Sequence, residues 1–201
     1  MQLSNKDIDR YSRNIILPEI GGKGQYKLLQ SKVLVIGMGG LGSPLLMYLA
    51  AAGIGNITII DDDNVELSNL QRQVIHSTQN IGKPKVDSAE SFIEKINPEI
   101  KITKINSRVY ADNIIELIAK QDIIADGSDN FKTRFLVADT CFKLKKTLIS
   151  ASITKYEGQI STWKNKKNLP CYRCLFADEP NASNINNLLG PIVDCFSSLI
   201  I

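Results

Sequence analysis

The sequence predicts an α/β fold built on a mainly parallel, doubly wound sheet. Two observations carry it. Short apolar runs rich in β-branched residues, such as Lys32 to Ile36 and Asn56 to Ile60, recur without an alternating polar face, as strands buried on both sides do. Helical segments separate these runs, giving the order β-α-β-α-β-α-β-α-β that covers both faces of one parallel sheet. The size agrees. The chain has 201 residues, 43% hydrophobic and 22% charged, which is one ordinary globular domain and excludes extended disorder, collagen and coiled coil.

The elements follow in order. Residues 1–31 read as an N-terminal helical segment, with Arg10 and Arg13 on one amphipathic helix, either as a salt-bridging face or as part of a site. Lys32 to Ile36 is a strand ended by Gly37. Ser43 to Ala52 is a helix, with Pro44 in its first turn and Gly53 as its stop. Asn56 to Ile60 is the second strand, ending at Asp61. Lys85 to Ile96 is a helix closed by Asn97-Pro98, and Ile100 to Ile105 alternates like a strand. Ala111 to Lys120 is helical, Asp122 to Ala125 a strand, Asn130 to Lys143 a helix and Thr147 to Ser150 a strand. These form a Rossmann-like core over 32–151. Residues 152–201 differ: Ile153 to Lys164 reads as one or two half-exposed strands with a turn at Glu157-Gly158, followed by a CxxC and an apolar tail. The whole is expected to be a single domain.

Charge and cysteine usage narrow the function class. The net charge of +3 is too mild to indicate nucleic acid. The longest nearly uninterrupted apolar stretch, Leu45 to Ile54, is about half a membrane span, and Met1 to Arg10 lacks the apolar core of a secretory signal. Four cysteines do not make a disulfide scaffold. A cytoplasmic protein is expected, with neither membrane nor nucleic acid as partner. The apolar ending Ser197 to Ile201 is expected to reflect a C-terminally truncated or split frame, or a buried terminal helix.

Six features carry chemistry. Gly37, Gly39 and Gly42 fit G-x-G-x-x-G between a strand and a helix: a tight turn, a close backbone approach to phosphate or ribose, and close helix–strand packing. The alternative is a βα turn that binds nothing. Asp61 ends the next strand, where a carboxylate binds ribose hydroxyls or is simply solvated. The polar stretch Asp61 to Gln73 holds Asn69, Arg72 and Gln73 near that loop. With six arginines against eighteen lysines, Arg72 is a chosen fork for phosphate. Lys85 sits at a helix start, where a cation opposes the dipole; that local cost points to function. Asp126 to Asn130 follows the fourth strand at the topological switch, where Asp129 can bind Mg²⁺, or Asp129 or Asn130 can cap the next helix. Cys171 and Cys174 have the spacing of half a zinc site or of a redox pair. Cys141 reads as core, and His76 as a structural polar residue. The glycines and Asp61 alone would also suit an NAD-dependent oxidoreductase.

The stretches R-Y-S-R-N-I-I-L-P, G-M-G-G-L-G, D-D-D-N-V-E-L-S-N-L-Q-R-Q, G-K-P-K, D-G-S-D-N-F-K-T-R and C-Y-R-C-L-F occur in this order. From about Asp9 to Leu175 the chain resembles the ubiquitin-activating-enzyme-like adenylyltransferases of the MoeB/ThiF/HesA group, nearest its molybdopterin-synthase branch. The resemblance implies ATP and Mg²⁺ in the sheet crevice. It implies an attack on the α-phosphorus by the C-terminal Gly-Gly carboxylate of a ubiquitin-like sulfur carrier, giving an acyl-adenylate and pyrophosphate.

It implies Arg13, Arg72, Lys85 and Asp129 as catalytic residues, with Arg13 inserted into the partner's site of a homodimer. It places Gly37, Gly39, Gly40, Gly42, Asp61, Ser68, Asn69, Leu70, Gln71, Gln73 and Asn130 at the nucleotide, Asp129 on Mg²⁺, and Cys171 and Cys174 in the first zinc pair. Three departures stand out. A second zinc pair would lie past Ile201. Ser183, in the stretch Ser183 to Pro191, replaces a cysteine that some members use, which excludes a thioester or persulfide there. Asp194-Cys195 falls where members are small and apolar. Adenylation residues are thus expected to be present, with folding, carrier binding or activity itself impaired.

Overall fold

A computed structural model describes residues 2–154 and 157–178. The expectations on Ser183, Pro191, Asp194, Cys195 and the apolar tail fall outside these residues. The sheet has six strands, β1 (Lys32–Ile36), β2 (Asn56–Asp61), β3 (Lys101–Asn106), β4 (Ile123–Asp126), β5 (Thr147–Thr154) and β6 (Glu157–Trp163), in the order β3-β2-β1-β4-β5-β6. All neighbours pair in parallel except β5 and β6, which are antiparallel. The chain order reverses between β1 and β4, which makes the crevice beyond their carboxyl ends the expected ligand site.

Alternating residues of β1 show why the apolar runs lacked a polar face. Val33 and Val35 pack under α4 (Gly42–Ala52) and α5 (Lys85–Ile96), with Leu45, Leu46, Val86 and Ile93. Leu34 and Ile36 pack on the other side with Ile114 and Ile118 of α6 (Ala111–Ala119) and Phe135, Val137 and Cys141 of α7 (Phe131–Lys143). Both faces of β1 are covered, so its positions from Val33 to Ile36 are all apolar, whereas the edge strand β3 keeps Lys101, Thr103 and Lys104 exposed. Gly53, at φ 90°, ends α4 as expected. No helix among the described residues is long and apolar enough to cross a membrane.

Three expectations need correction. Arg10 and Arg13 do not share a helix: α1 (Asn5–Arg10) ends at Tyr11, and α2 (Ser12–Ile15) starts after it. The break seats Tyr11, 2% exposed, against Gly53, where its hydroxyl accepts from Asn97 Nδ2 at 2.8 Å. Arg10 is meanwhile committed to Ile96 O at 3.1 Å, a cation on the carbonyl end of α5. Second, β5 runs on to Thr154, because β6 extends its ladder from Leu148↔Trp163 to Thr154↔Glu157. Third, Glu157 and Gly158 therefore lie in β6 rather than in a turn. The remaining boundaries shift by about one residue. The N-terminal segment also contains α3 (Gly21–Gln30), whose Gln25 donates to Ala52 O at 3.0 Å.

Candidate functional site

The loop after β1 is shaped by its glycines. Gly37 has φ +88°, a conformation costly for residues with a Cβ. At Gly42 a Cβ would stand 1.8 Å from Gly37 O, so the loop can close onto the start of α4 only with glycine there. Gly39 behaves differently: a Cβ would meet nothing nearer than Gln73 Nε2 at 3.8 Å. The space over the second glycine is open. Gln73 is 3% exposed and its Oε1 has no hydrogen-bond partner. α4 has no side-chain N-cap, leaving its first amides to the loop and to an anion. An open glycine, an orphaned buried amide oxygen and an uncapped helix start together fit a nucleotide.

Asp61 grips this loop. Its Oδ2 accepts from Met38 N at 2.6 Å and its Oδ1 from Asp63 N at 2.8 Å. Burial raises its pKa, opposed by the Met38 amide and the Lys85 charge. Met38 O meets His76 Nε2 at 3.0 Å, and burial lowers the pKa of that imidazole. Lys85, the first residue of α5 and 5% exposed, pairs with Asp63 at 2.7 Å. That pairing offsets the unfavourable dipole noted from the sequence. Carboxylates of Asp61, Asp62 and Asp63 cluster, but Asp62 pairs with Arg108 at 2.8 Å, and backbone amides or Lys85 hold the others. Two of the three charges are thus offset by Arg108 and Lys85, and the third carboxylate is held by backbone amides.

The segment between Asp63 and Lys85 lies along the loop at Gln73 and His76. Ser68 and Gln71 are exposed, while Asn69, Leu70 and Arg72 are half-buried. Among the described residues Arg72 makes one hydrogen bond, Nη1 to Ser68 O at 3.3 Å, and Asn69 Nδ2 meets Ser68 Oγ at 3.3 Å. The arginine fork therefore keeps most of its donors.

The loop after β4 meets the glycine loop directly. A Cβ on Gly37 would stand 3.2 Å from Gly127 O, and one on Gly127 would stand 3.2 Å from Leu41 Cβ. Asn130 caps α7 by accepting from Thr133 N at 2.9 Å, so the capping alternative holds for this residue. Asp129 is exposed, and among the described residues its one hydrogen bond is a 3.4 Å contact from Asn130 Nδ2. An exposed carboxylate with room for water suits Mg²⁺. Asp126 was not singled out from the sequence. It is 3% exposed, with Oδ1 accepting from Ser128 N at 2.9 Å and Oδ2 unpartnered. Burial raises its pKa, while Ser128 and then Arg134 oppose the rise. Arg134, also missed, forks onto Ser128 O through Nε at 3.0 Å and Nη2 at 2.7 Å.

Two sets of expected site residues lie elsewhere. Arg13 follows Tyr11, which packs at the Gly53 end of α4. The glycine loop is at the other end of that eleven-residue helix, roughly 16 Å away at 1.5 Å per residue. Cys171 and Cys174 flank and enter α8 (Tyr172–Leu175). Tyr172 anchors α8 against Phe135 and Trp163 at ring distances of 5.4 and 5.8 Å, and Arg173 forks onto Asp139 at 2.7 Å. The sulfurs stand 3.6 Å apart. Two thiolates about 2.3 Å from one tetrahedral zinc would be separated by nearly that distance, so the pair fits half of such a site. Burial pushes the Cys141 thiol up to about 12, in keeping with a core residue.

Comparison with known proteins identifies the family and the fold. Residues 11–201 match the ThiF family. Adenylyltransferase and sulfurtransferase MOCS3 of Culex quinquefasciatus is 43% identical over 203 residues, covering 98% of this chain but 46% of the relative. SAMP-activating enzyme E1 of Haloferax volcanii is 43% identical over 195 residues, covering 97% of this chain and 69% of the relative. The chain thus spans about half of one relative and two thirds of the other. The crystal structure of Escherichia coli MccB with AMPCPP and MccA superposes with a TM-score of 0.82 at 25% identity, covering 98% of this chain and 63% of that one.

Proposed function

The chain belongs to the ThiF family, and from that premise we propose that it carries the ATP-dependent adenylylation half of a carrier-activating enzyme. The observation that carries the reading is the meeting of two loops at the sheet's switch point. The open Gly39 and Gln73 lie on one side, the exposed Asp129 carboxylate on the other, and Lys85 stands at the edge beside Asp63. Relatives named as an adenylyltransferase and an activating enzyme, and a neighbour solved with an ATP analogue, support it.

The substrate is ATP, with the glycine loop and the start of α4 along its phosphates and Asp61 at its ribose. Asn69, Arg72 and Lys85 neutralise phosphate charge, and Ser68, Leu70, Gln71, Gln73 and Asn130 line the nucleotide. Asp129 holds Mg²⁺, which supplies further charge neutralisation. The second substrate is the C-terminal glycine carboxylate of a ubiquitin-like sulfur carrier. One carboxylate oxygen bonds the α-phosphorus while the bond to the bridging oxygen breaks, and pyrophosphate leaves with that electron pair. Catalysis here is positioning and charge stabilisation. The far position of Arg13 suits a homodimer in which each chain lends that arginine to the other's site. Cys171 and Cys174 would hold zinc with two further ligands.

Calorimetric titration with a slowly hydrolysed ATP analogue and Mg²⁺, with NAD as the control, tests the reading. Saturable analogue binding that disappears in Lys85→Ala and Arg72→Ala is expected. Folded protein that ignores ATP would overturn it, and tight NAD binding would replace it with a dinucleotide oxidoreductase. Carrier-dependent ATP–pyrophosphate exchange extends the test to the reaction, and loss of exchange in Arg13→Ala with analogue affinity unchanged is the mark of a lent arginine.

A further inference from the structure

We propose that His76 is a positioning residue for the nucleotide site: it ties the glycine loop at Met38 to α5 and so sets the spacing between that loop and Lys85. The proposal rests on the reading that this loop holds ATP. It starts from a weakness of the loop. Met38 lies between Gly37 and Gly39, and glycine on both sides leaves a backbone with wide conformational freedom. Such a segment keeps one shape only if something outside it holds it. Met38 is held at both of its polar backbone atoms. Its N–H donates to Asp61 Oδ2 at 2.6 Å, and its carbonyl lies 3.0 Å from His76 Nε2. Its side chain is fully buried.

The protonation of the imidazole follows from its partners. A carbonyl only accepts, so Nε2 carries the proton. The ring is 7% exposed, and burial favours its neutral form, so Nδ1 is left as an acceptor. It lies 2.9 Å from Ser88 Oγ, whose hydroxyl must then donate to it. One tautomer satisfies all four groups. Ser88 lies three residues after Lys85 in α5, on the same helix face. The chain Met38–His76–Ser88 is therefore a strut from the loop to the helix face that presents Lys85. Asp61 does not replace it, because Asp61 fixes only the amide side of Met38.

The test compares His76→Leu, His76→Gln and Ser88→Ala by ATP–pyrophosphate exchange, thermal unfolding and hydrogen exchange at the Met38 amide. His76→Leu should raise KM for ATP about tenfold, the equivalent of one lost hydrogen bond, with a smaller fall in kcat. A glutamine amide reaches the place of Nε2 and still donates to Met38 O, so His76→Gln should recover most of that KM even if its Tm stays low. Ser88→Ala, the mildest change, should raise KM about threefold. In the wild type, ¹⁵N spectra should show the Nε2–H tautomer. Equal KM losses in the leucine and glutamine variants, or an unchanged KM with a fallen Tm, would reduce His76 to packing and overturn the proposal, as would the Nδ1–H tautomer. Failure of the nucleotide reading is seen separately, as wild type that binds no ATP analogue. The strut is then judged on Met38 exchange alone: faster in His76→Leu and restored in His76→Gln sustains it, and no change in His76→Leu overturns it.

Discussion

The loops after β1 and after β4 touch at Gly37 and Gly127, yet they are finished differently. The first has both polar backbone atoms of Met38 satisfied by side chains from other segments, and its buried orphans, Gln73 Oε1 and Ser43 Oγ, are neutral and lie beside that backbone rather than in it. The second holds Ser128 O in the Arg134 fork but leaves Asp126 Oδ2 and Ser128 Oγ buried without a partner. A buried polar group left unpaired costs about 1–3 kcal/mol. The difference teaches that the two walls of the crevice have separate duties. One is a rigid cradle set before any ligand arrives. The other buries an unpartnered carboxylate oxygen, that of Asp126, next to the carboxylate expected to bind Mg²⁺, and such costs concentrate at functional sites.

The largest expected effect separates rigidity from openness inside the first loop. Gly42→Ala puts a methyl group 1.8 Å from Gly37 O and should cost more than about 4 kcal/mol in denaturant unfolding. Gly39→Ala has open space and should change stability by less than about 1 kcal/mol while weakening binding of the ATP analogue. Two variants of equal stability would show that the loop is not held as described.

Next, Arg134→Ala removes two charge-assisted bonds to Ser128 O and should cost about 1.5–3 kcal/mol. Arg134→Lys should recover only part of that, because lysine has no planar fork. Full recovery by lysine, read from denaturant midpoints, would mean that charge alone matters at this site.

A smaller effect tests the unfinished wall through pH. Burial raises the folded pKa of Asp126 above its ordinary value, so the folded chain keeps a proton that the unfolded chain releases. Stability from this group is therefore greatest at low pH and is lost as pH rises through the folded value. Asp126→Asn cannot titrate. As pH rises above about 4, the ordinary carboxylate value, the wild type should lose ground against this variant in denaturant midpoint, and a wild type that gains ground would mean that Ser128 and Arg134 outweigh burial. The smallest effect concerns thiols. Cys174 is exposed, and its pKa is lowered by the Cys171 backbone N–H and then by the Cys171 side chain. Cys141 is fully buried. Peptide mapping after brief alkylation of the native chain should find Cys174 modified and Cys141 intact; modification of Cys141 would show that the α7 face opens.

Much of this was legible in the residues. Apolar runs without alternation marked the strands, and glycines at 37, 39 and 42 marked the loop, because hard-sphere constraints on a βα turn act locally. Asn130 as a cap was one of two local alternatives. Lys85 at a helix start was legible as a local cost, but its partner, Asp63, was not. The single amphipathic helix joining Arg10 and Arg13 failed because Tyr11 is placed by Gly53 and Asn97, far away in the chain. The end of β5 was missed because its last residues owe their strand to β6.

By itself, the sequence determined the parallel sheet, the order of its elements, the glycine loop and the family to which the chain belongs. Each of these depends on residues close together in the chain or on their order along it. Only the tertiary structure decided which side chains complete the crevice. Met38 is held by Asp61 and His76, Ser128 by Arg134, and Asp126 is buried at the end of β4, which lies between β1 and β5 inside the sheet. Those contacts join segments brought side by side by the strand order β3-β2-β1-β4-β5-β6. Burial and pairing of polar groups depend on three-dimensional neighbours rather than on neighbours in sequence.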